Sequence, residues 1–80
     1  MDGKLAVVAI VVSDLGAVER VNGLLHDFGE YIIGRLGLPH KEKKVNVICV
    51  VVDAPQEVIS SLSGKLGMID GVASKVLTTK

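Results

Sequence analysis

Two valine-rich runs constrain this chain more than anything else in it. Lys4 to Val12 reads KLAVVAIVV, and Val45 to Val52 reads VNVICVVV. Each is short for a helix and dominated by β-branched or small side chains that suit a pleated strand. Successive side chains of a strand point to opposite faces, so a sheet with one wet face should show a polar residue at every second position. Neither run alternates. In the first, Leu5, Val7, Ala9 and Val11 share one face while Ala6, Val8, Ile10 and Val12 share the other. In the second, Val45, Val47, Cys49 and Val51 oppose Asn46, Ile48, Val50 and Val52, which leaves Asn46 as the one polar residue. Both faces of these strands therefore call for cover, and a chain of 80 residues has little material with which to cover both.

The length fits a single domain over residues 1–80. Its single cysteine, Cys49, excludes an internal disulfide, so regular packing or a partner subunit must supply what a small core lacks. Nine basic residues balance nine acidic ones, which is not the electrostatic footprint that phosphate backbones or anionic membranes attract. Direct nucleic-acid binding is therefore not expected. The longest apolar run, Leu5 to Val12, has eight residues. A membrane-spanning helix needs about 20. Lys4 shares the start of the chain with Asp2, and no small-x-small cleavage pattern follows Val12, so a secretory leader is not expected either. These features, with one unpaired thiol, point to a cytoplasmic protein.

Between the valine runs the period changes. Val18, Val21, Leu25 and Phe28 recur at three and four residues, with Glu19, Arg20, Asn22 and Asp27 on the opposite side, the pattern of an amphipathic helix over 17–28. Ser13 or Asp14 offers an N-cap oxygen, and Gly29 a left-handed C-cap. Tyr31 to Leu38 reads as a strand interrupted by Gly34 and Gly37, which suggest a bulge or a close backbone approach, and ended by Pro39. After the polar turn His40–Lys44 the second valine run completes a hairpin. Asp53 as N-cap, Pro55 in the first turn and Gln56 in a capping box open a second helix striped by Val58, Ile59, Leu62 and Leu66 and closed at Gly67. Gly71 to Leu77 is the last strand. The order is βαββαβ, the α+β ferredoxin-like arrangement in which a four-stranded antiparallel sheet carries two helices on one face. A lone copy would expose a large apolar sheet face, so a homo-oligomer, dimer or tetramer, is expected. Val8, Ile10, Ile48 and Val50, with Gly64 and Gly67 on the second helix, are the expected interface.

The residues that could carry chemistry are few. His26, His40 and Cys49 are metal-ligand types without ligand spacing, so no metal site or cofactor is implied, and no catalytic constellation surrounds either histidine. Gly64-Lys65-Leu66-Gly67 lacks the phosphate-loop frame, and Lys65 reads as a complement to the negative end of its helix. Lys41, Lys43 and Lys44 form a short positive tip interrupted by Glu42, which reads as a solvated turn. The first strand-to-helix turn holds more promise. Asp14, Leu15, Gly16 and Ala17 place a glycine and backbone amides at a helix start, where a carboxylate or other small anion can be received, though ordinary capping accounts for the same residues.

The chain also resembles the family of iron-only hydrogenase system regulators. The likeness rests on Val21-Asn22-x-Leu24-Leu25-His26-x-Phe28, on Arg35-x-Gly37-x-Pro39, and most specifically on Leu62-Ser63-Gly64-Lys65-Leu66-Gly67-x-Ile69-x-Gly71-Val72 followed by Lys75. That resemblance implies a fold like the ACT domain and the C-terminal domain of nickel-responsive regulators. It also implies an oligomer with a regulatory or sensing task, to which the glycine turn adds, as an expectation, a small-molecule ligand where that turn meets a neighbouring subunit, with a protein partner in the hydrogenase system. Two departures limit what carries over. Asp14 and Gly16 stand one residue closer than the usual ACT ligand turn. The nickel regulators' His-x-His pair has no match beside His40 and Cys49, so nickel binding does not transfer. A ribbon-helix-helix segment is not expected, so any DNA binding would call on a partner protein. The expected function is thus a non-enzymatic regulatory module. The alternatives are a nickel or iron sensor or metallochaperone using His26, His40 and Cys49, or a structural adaptor for a maturation enzyme that docks through Lys41, Lys43 and Lys44.

Overall fold

The computed structural model describes residues 3–79 and runs β1 (Lys4–Val12), α1 (Val18–Asp27), β2 (Ile32–His40), β3 (Val45–Ala54), α2 (Gln56–Gly67) and β4 (Val72–Thr78). Asp2, which weighed against a leader above, lies outside the described residues. Short 3-10 turns at Leu15–Ala17 and Gly29–Tyr31 lead into α1 and β2. The four strands form one antiparallel sheet in the order β2-β3-β1-β4. This is the ferredoxin-like βαββαβ fold read from the sequence, with the two valine runs as its central strands.

The core lies between the sheet and the helices. Ala6, Val8, Ile10 and Val12 of β1 and Ile48, Val50, Val52 and Ala54 of β3 meet Val21, Leu25, Ile59, Leu62 and Leu66 of the helices. This assignment corrects the expected interface. Val8, Ile10 and Val50 are 0% exposed and Ile48 is 4% exposed, because their parity points them beneath the helices, where no second chain can reach them. The face left open is the other one, with Leu5, Val11 and Val47 exposed in the central strands. Gly64 and Gly67 are exposed on α2, on the helix side of the molecule, and so do not join the sheet positions in one surface.

Three local expectations also give way. Pro39 does not end β2, which continues to His40 with Pro39 opposite Asn46. An edge strand tolerates proline because one row of its N–H groups has no ladder partner to lose. Asp53 is a strand residue opposite Leu5, not a helix cap, and Pro55 occupies the N-cap position without a side-chain bond. Gln56 instead accepts from Lys4 Nζ at 3.4 Å and donates to Ser60 Oγ at 3.1 Å. Helix α1 ends without a left-handed glycine: among the described residues only Lys44 and Gly71 have positive φ, at 56° and 81°.

The glycine-marked bulge in β2 is present, and it decides what β2 displays. Ile32 pairs with Val52 but Gly34 pairs with Val51, so Ile33 is an extra residue against β3. One inserted residue reverses the faces of everything after it. Leu36 and Leu38 therefore fall opposite Cys49 and Val47 on the open face, while Arg35, Gly37 and Pro39 turn toward α1. There Arg35 Nη2 donates to Asn22 Oδ1 at 2.7 Å.

Gly71 closes the fold at the other end. Its φ of 81° suits glycine, and a Cβ placed there would lie 2.5 Å from Cβ of Asp14. Replacing Gly71 by alanine should lower unfolding stability by roughly 1–3 kcal/mol through that conformation and clash. Gly23, inside α1 with open space at its missing Cβ, should respond oppositely. Gly23→Ala should raise stability by about 0.5–1 kcal/mol, and urea titrations of both variants check the pair.

Candidate functional site

The turn between β1 and α1 is held by its own backbone and by the far end of the chain. Asp14 leaves β1 in an extended conformation, and its Oδ1 accepts from Gly16 N at 2.9 Å. Ala17 N donates to the Asp14 carbonyl at 2.8 Å, closing the 3-10 turn that starts the helix. Ser13 then ties this turn to the α2–β4 loop, its N donating to the Gly71 carbonyl at 2.8 Å and its Oγ to the same oxygen at 3.1 Å. These two hydrogen bonds draw the segments together, and the resulting approach of Asp14 to the position of a Cβ, with the positive φ, explains the glycine at 71.

Where the two segments meet, Asp14, Gly16, Ala17, Arg20 and Asp70 border a notch of about 260 Å³. It presents two carboxylates and one guanidinium at a glycine turn, which suits a small ligand bearing both signs of charge. The expected anion on free backbone amides gives way to ordinary capping, since Gly16 N and Ala17 N are already bonded to the Asp14 side chain and carbonyl, and the residues named for the site divide. Asp14, Gly16 and Ala17 border the notch, although Ala17 is buried at 5% exposure. Leu15 does not. Its side chain, 61% exposed, turns to a separate cleft with Pro39, His40 and Val45 of the β2–β3 hairpin. Arg20 and Asp70 went unread in the sequence. Arg20 lies one helical turn beyond Gly16, so spacing on α1 could have proposed it. Asp70 is brought in by the pairing of β4 with β1, and nothing local announces it.

The other candidates are dispersed. His26 is exposed near the end of α1, on the helix side. His40 sits at the hairpin, where its Nδ1 accepts from Lys43 N at 3.2 Å. Cys49 is exposed on the opposite, open face of the sheet. Among the described residues no group of three or more histidine, cysteine, aspartate or glutamate side chains is placed to hold a metal ion. Lys65, in the last turn of α2, also reaches across to α1, its Nζ 5.7 Å from the centroid of the Phe28 ring. No helix among the described residues is long and apolar enough to cross a membrane.

Comparison with known proteins adds a family. A model named TM1266-like and described, provisionally, as an iron-only hydrogenase system regulator matches residues 4–76. The uncharacterized protein TM1266 from Thermotoga maritima is similar in structure, with a TM-score of 0.93 and 38% identity over 98% of this chain and 99% of that one. A formyltetrahydrofolate deformylase from Pseudomonas putida KT2440 gives a TM-score of 0.60 and 18% identity over 92% of this chain, which spans 28% of the deformylase. That second likeness is one of fold alone. No curated protein matches.

The Asp14 carboxylate is the structural part of this site that can be tested directly. Asp14→Ala should cost about 1 kcal/mol of stability by orphaning the Gly16 amide, and Asp14→Asn should recover most of it, as thermal denaturation of both would record.

Proposed function

Because the chain belongs to the TM1266-like family of iron-only hydrogenase system regulators, we propose that it is a non-enzymatic, ACT-like sensing module that binds a small charged ligand at the β1–α1 turn. The observation that carries this reading is the notch itself. Asp14, Arg20 and Asp70 converge from the first turn, the first helix and the last loop, so one small molecule there would engage both halves of the βαββαβ repeat. A sensor requires its ligand to bind one arrangement better than another, and a ligand held by both halves would favour the arrangement in which they meet. The carboxylates suit an ammonium or guanidinium group, and Arg20 suits a carboxylate or phosphate.

In this reading the module works in the cytoplasm, self-associates, and passes its ligand state to a protein of the hydrogenase system. A small domain has little interior to give to a pocket, and an open notch is best completed by a neighbouring subunit. Native mass spectrometry of the protein as purified tests the ligand. The expected spectrum shows a retained small molecule, lost or weakened at least about tenfold in Arg20→Ala and Asp70→Asn. A bare protein in which neither substitution alters the binding of any metabolite in a cell extract would remove the reading. Disruption of the gene in its host should change iron-only hydrogenase activity, and unchanged hydrogenase would detach the module from that system.

A further inference from the structure

The open face of the sheet has relief, and the relief is self-complementary. Strand register aligns Leu38, Val47, Val11 and Ala73 in one row across the sheet, and Leu36, Cys49, Ala9 and Lys75 in the next. At the β2 end of these rows Leu36 and Leu38 stand up as a ridge, 58% and 55% exposed. At the β4 end Ala9, Val11, Ala73, Ser74 and Lys75 border a shallow hollow of about 220 Å³. Ridge and hollow thus occupy opposite ends of the same two rows. A two-fold axis parallel to the strands, passing between β3 and β1, exchanges those ends. Two sheets stacked about it set the leucine ridge of each copy on the hollow of the other.

The geometry points to a second copy of this chain as the cover of this face, in a face-to-face dimer about that axis. This rests on the self-association in the reading above and gives it a surface and a symmetry. The match is made twice at no further cost in sequence, as an isologous contact requires. The area is also adequate. Leu5, Val11, Leu36, Leu38, Val47 and Leu77, at 36–71% exposure, present on the order of 600 Å² before their smaller neighbours are added. That reaches the upper end of the patch an ordinary monomer shows and approaches the ~800 Å² per partner of a standard interface. Among the described residues the strands place two charged side chains on this face: Lys75 lies on an edge strand from which its ammonium reaches water while its stem stays in the hollow, and Asp53 lies opposite Leu5 at the end of β3, at the rim of the contact.

The axis also sets the environment of Cys49. It lies over Ala9 of the other copy, and face-packed sheets are about 10 Å apart, beyond the roughly 7 Å Cα separation a disulfide spans. The thiol is therefore shielded by the dimer but not cross-linked within it.

Sedimentation equilibrium of the full chain at micromolar concentration provides the test. The expected species has twice the 8.4 kDa of the chain. Leu36→Lys with Leu38→Lys should yield a monomer with an unaltered circular-dichroism spectrum, since both side chains are more than half exposed. Ala73→Glu, in the hollow, should do the same. Mixing Ala73→Glu with the single variant Leu38→Lys should restore a mixed dimer, because the axis sets position 38 of one copy over position 73 of the other, where the charges are opposite, and the second ridge and hollow remain native. Iodoacetamide should alkylate Cys49 at least about tenfold more slowly in the dimer than in the variants. A wild-type monomer would overturn self-association itself. A dimer indifferent to both variants would leave self-association standing and remove this face. Diamide producing a Cys49-linked dimer would exclude the axis.

Discussion

The pairing of β1 with β3 is the constraint on which the rest of the molecule depends. Its register sets Val8 beside Val50 and Ile10 beside Ile48, and these four close the inner face against Leu25, Leu62 and Leu66. With no buried polar side chain among the described residues, that layer is held by apolar packing alone. Once these residues point inward, alternation sends Val7, Ala9, Val11, Val47 and Cys49 outward, and because those positions too are apolar the outer face of the central strands is apolar as well. The apolar face on which the proposed second copy would sit is set by that pair of strands.

The two ends of the sheet are then adjusted by single residues. At one edge the extra Ile33 turns Leu36 and Leu38 outward and Arg35 inward to Asn22, so the Arg35-x-Gly37-x-Pro39 segment serves the side under α1 while the leucines between serve the open face. At the other, Gly71 gives up its side chain so that Ser13 and Asp14 can rest on the α2–β4 loop. The first adjustment shapes a surface and the second shapes the notch.

Much of this was legible before any coordinates. Valine enrichment marked β1 and β3, the three-and-four spacing of Val18, Val21 and Leu25 marked α1, and the glycines of β2 marked its bulge. The alternation also made plain that both faces of the central strands are apolar. Which face would be inside was not legible, because Val8 and Val7 are chemically the same residue on opposite sides. Their parity is settled by where the helices land. Capping was overread for a similar reason: Asp53 looks like an N-cap until strand pairing with Leu5 claims its backbone. In the candidate site, Asp14 and Gly16 could be found from their turn, but Asp70 could not, since it arrives through the pairing of β4 with β1.

The sequence by itself determined the elements, their order and the quantity of apolar surface, since these depend on local preference and on residue period. The tertiary structure decided the side of the sheet each apolar set occupies, the reversal of β2 beyond Ile33, and the meeting of Asp14 with Arg20 and Asp70. Those outcomes depend on register between distant strands, and a register is a property of two segments together, which neither segment encodes alone.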